Sequence, residues 1–181
     1  IKEVYCNLSK SCTCLKNKYF QVVNNNDEWI GVASAQECHS NPKLIHRVVH
    51  FTLVDGIKEK VLISKRSSNV KYDSGMWCFM DEHLLHDDDY QTAVFRGLKD
   101  ELSFDGNEGI GEKCHTIFHQ PNQTEFARFF IAYYKDGLLK PDPSEIDEIK
   151  WVSLDELRHK KHEYSSMTQY WINNADWEEI M

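Results

Sequence analysis

Residues 74–104 read SGMWCFMDEHLLHDDDYQTAVFRGLKDELSF, and the part from Asp87 to Phe104 decides the fold. Val94, Leu98 and Leu102 recur there every four positions, a spacing that sets apolar side chains on one buried face of a helix. Asp87, Asp88 and Asp89 suit its first turn, where carboxylate oxygens accept from unpaired backbone N–H groups and oppose the helix dipole. Gly97, Asp100 and Glu101 fall at i, i+3 and i+4 and so share a face. Two carboxylates so placed can hold Mg²⁺, a hard cation that takes oxygen ligands and shares its shell with substrate phosphates. A solvated acidic helix face has the same spacing. Gly97 offers no ligand. A glycine inside a helix costs roughly 0.5–1 kcal/mol relative to alanine, so helix stability does not account for it.

The stretch resembles a Nudix box, the signature of enzymes that cleave nucleoside-diphosphate-X compounds. That box runs Gly, five residues, Glu, seven residues, Arg-Glu, an aliphatic residue, any residue, Glu-Glu, any residue, Gly and an aliphatic residue. Laid without gaps on this chain, the opening Gly falls on Glu82 and the first Glu on Asp88. Arg96 matches the Arg, Gly97 replaces its partner Glu, Leu98 keeps the aliphatic position, and Asp100-Glu101 stand for Glu-Glu. Ser103 replaces the closing Gly, and Phe104 is the final apolar residue. Upstream, Ser74-Gly75-Met76-Trp77 is similar to the family's Pro-Gly-Met-Trp lead-in.

Outward from the box, residues of roughly 18 to 160 resemble one branch of that family, the type 1 isopentenyl-diphosphate isomerases and the Nudix hydrolases most like them. Gly31 followed by Ser34-Ala35-Gln36-Glu37-Cys38-His39 is similar to the isomerase opening, a Gly ahead of Ser-Lys-x-Glu-Cys-His. Ile45-His46-Arg47 follows, then an apolar strand to Asp55. The resemblance implies that His39 and His46 bind a divalent metal with His83 just before the box, and that Glu125 matches the second of two strand glutamates, with Gln123 in place of the first. Three imidazoles and one carboxylate favour Zn²⁺ or Mn²⁺ over Mg²⁺. The chain carries 9 histidines, and any one of them taken alone reads equally as a hydrogen-bonded surface or core residue.

The isomerases' own chemistry is mostly absent. Their carbon-protonating Cys, two residues before the third His, is Asp81 here, and the Lys four residues before the first His is Ala35. On strand alternation, Cys78 and Asp81 point to opposite faces. Arg66 and Lys71 read as diphosphate contacts, a guanidinium pairing phosphate oxygens bidentately and an ammonium adding a point charge; a solubilising basic loop has the same composition. Asp100, Glu101 and Glu125 are the candidates to share proton transfer in hydrolysis. Three functions stay open: a divergent hydrolase of a small organic or nucleoside diphosphate using Mg²⁺ or Mn²⁺, with Zn²⁺ at the histidine set; a catalytically inactive Nudix domain that binds a diphosphate ligand or a protein partner; and an isomerase with rearranged acid and base.

Composition agrees. At 181 residues, 41% hydrophobic and 28% charged, the chain suits one well-packed domain, read as 18–181 behind an amino-terminal arm at 1–17. A net charge of −8 argues against a nucleic-acid duplex as partner. With no run of 18 apolar residues and no recognisable leader in this numbering, neither a membrane partner nor a span is expected, and the location expected is cytoplasmic. Cys6, Cys12, Cys14, Cys38, Cys78 and Cys114 form no Cys-x2-Cys pair and read as reduced thiols, with a disulfide or zinc site in the arm as the alternative. Strands are expected at Lys18–Val23, Trp29–Ala33, His46–Asp55, Lys60–Lys65, Cys114–His119, Phe126–Tyr134 and Glu148–Val152, with a loop at Gly106–Glu112 and helices at Asp155–Lys161 and Met167–Met181. The order is that of an α/β protein. The resemblance implies the Nudix-like α/β/α sandwich with a mixed central sheet.

Overall fold

The computed structural model describes residues 18–106, 109–177 and 179–180. The arm at 1–17, with its three cysteines, lies outside the described residues. The elements in chain order are β1 (Tyr19–Val23), β2 (Trp29–Ser34), α1 (Ala35–Cys38), β3 (Ile45–Asp55), β4 (Lys60–Arg66), β5 (Trp77–Cys78), β6 (Met80–His83), α2 (Tyr90–Leu102), β7 (Ile110–His119), β8 (Thr124–Tyr133), β9 (Ile146–Ser153), α3 (Leu154–His159) and α4 (Ser166–Asn174). The expected glycine loop is shorter than read, because β7 already starts at Ile110 and pairs with Ala132.

β3 organises the sheet. Along one edge it meets β1 at Ile45–His46, β6 at Val48–Phe51 and β4 at Val54–Asp55, all antiparallel. Along the other it runs parallel to β8 from Ile45↔Thr124 to Val54↔Tyr133. The sheet is therefore mixed. A strand covered on both faces carries apolar residues at both parities, and β3 does so: Val48 and Val54 join Phe129, Trp171 and Trp177 on one side, while Val49, Phe51 and Leu53 join Ala93, Val94 and Leu98 of α2 on the other. Helices on both faces complete the α/β/α sandwich. Each fully buried side chain of this size contributes roughly 1.5–3 kcal/mol.

The three aspartates before α2 have three separate roles. Asp89 is the N-cap and accepts from the Thr92 N–H at 2.7 Å. Asp88 accepts from the Leu85 N–H at 2.7 Å and from Arg96. Asp87 pairs with exposed His86 at 2.5 Å. At the other end Ser103 sits left-handed at φ 52°, which explains why the family box has a glycine there.

Gly97 has a packing reason after all. A Cβ at this position would lie 2.7 Å from Phe51 Cε1 and closer still to Cζ. The helix backbone rests directly on the β3 aromatic ring. A glutamate does not fit, so the substitution in the box goes with close helix–sheet approach.

Strand alternation does not run from Cys78 to Asp81, because the strand breaks at Phe79. β5 pairs with β4 and β6 pairs with β3, and the Arg66 charge acts on Cys78 while Arg66 also holds Asp81.

Candidate metal centre

Local structure places each histidine. Ser34-Ala35-Gln36-Glu37 is a capping box: Ser34 Oγ accepts from the Glu37 N–H at 3.3 Å, and Glu37 Oε2 accepts from the Ser34 N–H at 2.9 Å. The short helix α1 then ends with His39 at its C-cap. His46 opens the buried part of β3, and His83 closes β6 opposite Val48. The box helix anchors that last residue, since Arg96 Nη2 donates to the His83 carbonyl at 2.7 Å and Arg96 also pairs with Asp88 and, at 3.5 Å, with Glu82.

The three rings converge. One ligand nitrogen from each of His39, His46 and His83 lies within 4.8 Å of the others, and His39 Nε2 and His83 Nε2 are 3.2 Å apart. Nitrogens on one tetrahedral ion at 2.0–2.1 Å are about 3.4 Å apart, so the spacing suits a shared ion. Phe20 of β1 stacks on His83 at 4.3 Å and closes the cluster from one side.

Glu125 adjoins. It is directly across the parallel β3–β8 pair from His46, with Oε1 3.9 Å from His46 Nε2. Gln123 Nε2 donates to that Oε1 at 2.8 Å.

Electrostatics match a cation site. Burial lowers the pKa of His46 to about 4, with His39 adding to the effect. Burial and the other two imidazoles take His83 well below its ordinary range, and burial and Lys71 lower His39. Three uncharged imidazoles with lone pairs are what a metal requires. Burial, with Asp81 and Asp73, pushes Glu125 up to about 8. Both nitrogens of His46 and Glu125 Oε2 are enclosed without hydrogen-bond partners. Groups left so cost about 1–3 kcal/mol each, and a divalent ion would relieve the one His46 nitrogen that faces the other two rings. The set fits a metal.

A second group of charges lies alongside. Arg66 Nη1 donates to Asp81 Oδ1 at 2.9 Å, while its Nε is buried without a partner. Burial, then Asp81 and Glu82, raise the Glu101 carboxyl well above the carboxylate range, partly offset by Arg66. Asp100 points to the exposed side of α2. Lys71 carries its ammonium 4.7 Å from the Tyr72 ring, near enough to His39 to lower its basicity. The described cysteines are free thiols; burial raises Cys38 and Cys114 to about 11 and Cys78 to about 12, which leaves them protonated.

Two arrangements escape sequence reading. Asp27, at φ 62° in the β1–β2 turn, accepts from Arg47 Nε at 2.6 Å, Tyr90 Oη at 2.8 Å and Arg128 Nη2 at 2.5 Å. This ties the hairpin to β3, β8 and the start of α2. His50 is the other, on the same face of β3 as His46; its parity with His46 was the one available signal.

A mixed sheet sandwiched by helices, with a divergent box helix behind a histidine cluster, defines a Nudix-type domain. Residues 44–170 match the family model described as NUDIX domain, and the chain belongs to that family. Among curated proteins it is similar to isopentenyl-diphosphate Delta-isomerase 1 of Aromatoleum aromaticum, 26% identical over 156 residues and covering 83% of this chain and 86% of that one. It is also similar to isopentenyl-diphosphate delta-isomerase 2 of Homo sapiens, 28% identical over 158 residues, covering 75% and 69%. Among solved structures, a Deinococcus radiodurans protein superposes with TM-score 0.72 at 15% identity over 88% of this chain and 99% of that one. The MutT protein of Methanosarcina mazei gives 0.66 at 19% identity over 78% and 98%.

Proposed function

We propose that this chain is a divergent, metal-dependent Nudix-type hydrolase of a small organic diphosphate. The observation that carries the reading is the convergence of three uncharged histidines, with Glu125 next to His46 and Asp81, which Arg66 grips, acting on Glu125. A divalent ion held by these residues, Zn²⁺ or Mn²⁺ by donor type, would polarise a phosphoryl oxygen and acidify a water. Arg66 offers its remaining N–H groups to phosphate oxygens while Asp81 holds its other edge. Lys71 adds positive charge near His39. Glu125, with Gln123 donating to its Oε1, would take the proton of the attacking water once a bound cation offsets the burial that raises its proton affinity. Glu101, whose proton affinity is raised by burial and by Asp81 and Glu82, would donate to the leaving phosphate.

The test pairs elemental analysis with phosphate release from a panel of diphosphates in Mg²⁺, Mn²⁺ or Zn²⁺. Release that is metal-dependent and lost in Glu101→Gln supports hydrolysis; full turnover in Glu101→Gln refutes it. The opposition of Asp81 and Glu125, two carboxyls acting on each other where the isomerases place a thiol and a glutamate, favours isomerisation as the second reading. Deuterium uptake into isopentenyl diphosphate without phosphate release would establish that reading. Thermal stabilisation by diphosphates with neither reaction marks a binding domain. Gly97→Glu does not separate these readings, because Phe51 fills the space the new side chain needs.

A further inference from the structure

Gln123 is the hydrogen-bond partner of Glu125, and its placement bears on what that carboxylate can do. It immediately precedes β8 and is only 9% exposed. The turn leading into the strand fixes its backbone: the Gln120 N–H donates to the Gln123 carbonyl at 2.9 Å, and next along the chain Thr124 Oγ1 donates to the Pro42 carbonyl at 2.8 Å. Gln123 Nε2 then donates to Glu125 Oε1 at 2.8 Å, the oxygen that lies 3.9 Å from His46 Nε2. Glu125 Oε2 is enclosed and takes no hydrogen bond.

Among the described residues, the ligand atoms that lie within 4.8 Å of one another belong to His39, His46 and His83, and Glu125 is not in that group. The three imidazoles share a focus, whereas the carboxylate flanks the cluster and meets the His46 ring from β8. His39 and His83 are half-buried, which leaves the focus a side toward solvent. Three protein nitrogens with one position left over is the arrangement of a catalytic zinc site, in which water or a substrate oxygen takes the remaining place. A carboxamide at position 123 brings no second anionic oxygen, and its N–H holds the oxygen of Glu125 that faces the cluster.

We propose that Gln123 is a positioning residue that holds Glu125 outside the coordination shell, so that a divalent ion bound here has three histidine ligands and an open position. The proposal rests on the metal-dependent reading above and moves Glu125 from ligand to outer partner. Its consequence is selectivity. Three imidazoles without a carboxylate suit Zn²⁺ or Co²⁺ in a tetrahedral site, and give little hold to Mg²⁺, which asks for an octahedron of oxygens.

Titration of the full chain with Co²⁺ alone tests this, because the visible bands of that ion are intense in a tetrahedral site and weak in an octahedral one. The wild-type protein is expected to give intense bands that Zn²⁺ abolishes and excess Mg²⁺ does not. Glu125→Gln keeps the bands in place and lowers Co²⁺ affinity by no more than about 10-fold, the lower end for loss of an outer partner, whereas His39→Gln alters the bands themselves. Gln123→Met removes the N–H without adding charge and frees Glu125 to join the ion: the bands weaken and shift, and adding Glu125→Gln to that variant restores the wild-type spectrum. Altered packing at position 123 would not produce that reversal. Weak, octahedral-type bands in the wild-type protein overturn the proposal without need of any variant. So do bands that change in Glu125→Gln as they do in His39→Gln, and so does a Gln123→Met spectrum identical to wild type. If Co²⁺ binds with Glu125 as a ligand, only this inference fails; if neither Co²⁺ nor Zn²⁺ binds, the metal-dependent reading fails and this one with it.

Discussion

Alanine at Gly97 tests the packing that separates this chain from the family box. In a solvent-facing helix the change from glycine to alanine stabilises by about 1 kcal/mol through helix propensity. Here the new methyl would stand 2.7 Å from Phe51 Cε1 and closer still to Cζ, well inside carbon–carbon contact, with Glu82 Cβ at 3.4 Å on another side. Phe51 cannot swing away freely, being fully buried between α2 and the sheet. Overpacking of this kind costs about 1–3 kcal/mol. The net expectation for Gly97→Ala is destabilisation of up to about 2 kcal/mol, opposite in sign to the propensity effect. In urea, with a slope of about 2 kcal/mol/M for a domain of this size, the midpoint falls by up to about 1 M. The cycle is completed by Phe51→Leu alone and with Gly97→Ala. Leucine removes the two clashing ring atoms, so Gly97→Ala should be less damaging in the Phe51→Leu background by at least about 1 kcal/mol. A Gly97→Ala protein as stable as wild type or more so, with no coupling to position 51, would refute the account of why glycine occupies this site.

Two further outcomes follow from the charges. In metal-free protein, His46 titrates at about 4 folded against 6.5 as a free side chain; the unfolded chain therefore binds more protons below 6.5, and stability falls as pH drops from there toward 4. Linkage sets the His46 share at about 2 kcal/mol between pH 7 and pH 5. The stability advantage of wild type over His46→Asn in chelator should shrink by that amount in paired urea titrations, and an advantage independent of pH would contradict the neutral-imidazole assignment. Asp27→Asn should cost about 3–5 kcal/mol, because the carboxylate side chain is only 8% exposed and its loss leaves the Arg47 and Arg128 guanidiniums without their shared charge. Asparagine tolerates the positive φ, so backbone strain does not contribute; a loss below about 1 kcal/mol by thermal or urea unfolding would show that the network is dispensable.

The box helix was legible because its apolar period and its Arg96 survive, and the histidine set because its spacing resembles one branch of the family. What could not be read depends on distance in space between residues remote in sequence. Gly97 looks like a lost ligand until Phe51 is placed beneath it. Asp27 sits in a turn of asparagines and reads as solvent-facing, yet it meets Arg128 from the far strand of the parallel pair. His50 stands in an otherwise largely apolar stretch of β3, and only the register that sets it across from Asp81 and the fold that brings Trp171 against its ring reveal its surroundings.

The parallel pairing of β3 with β8 governs the order in which the site can come into being. His46 and Glu125 become neighbours only through that register, and joining strands so remote along the chain is a slow, non-local step, because loop-closure entropy opposes it before any contact rewards it. Local elements such as the Ser34 capping box can form beforehand, but the cluster of ligands cannot. An ion captured there binds the folded chain alone, so its main kinetic effect is on unfolding: it lengthens the life of the assembled state and leaves the search for the strand partner unaided.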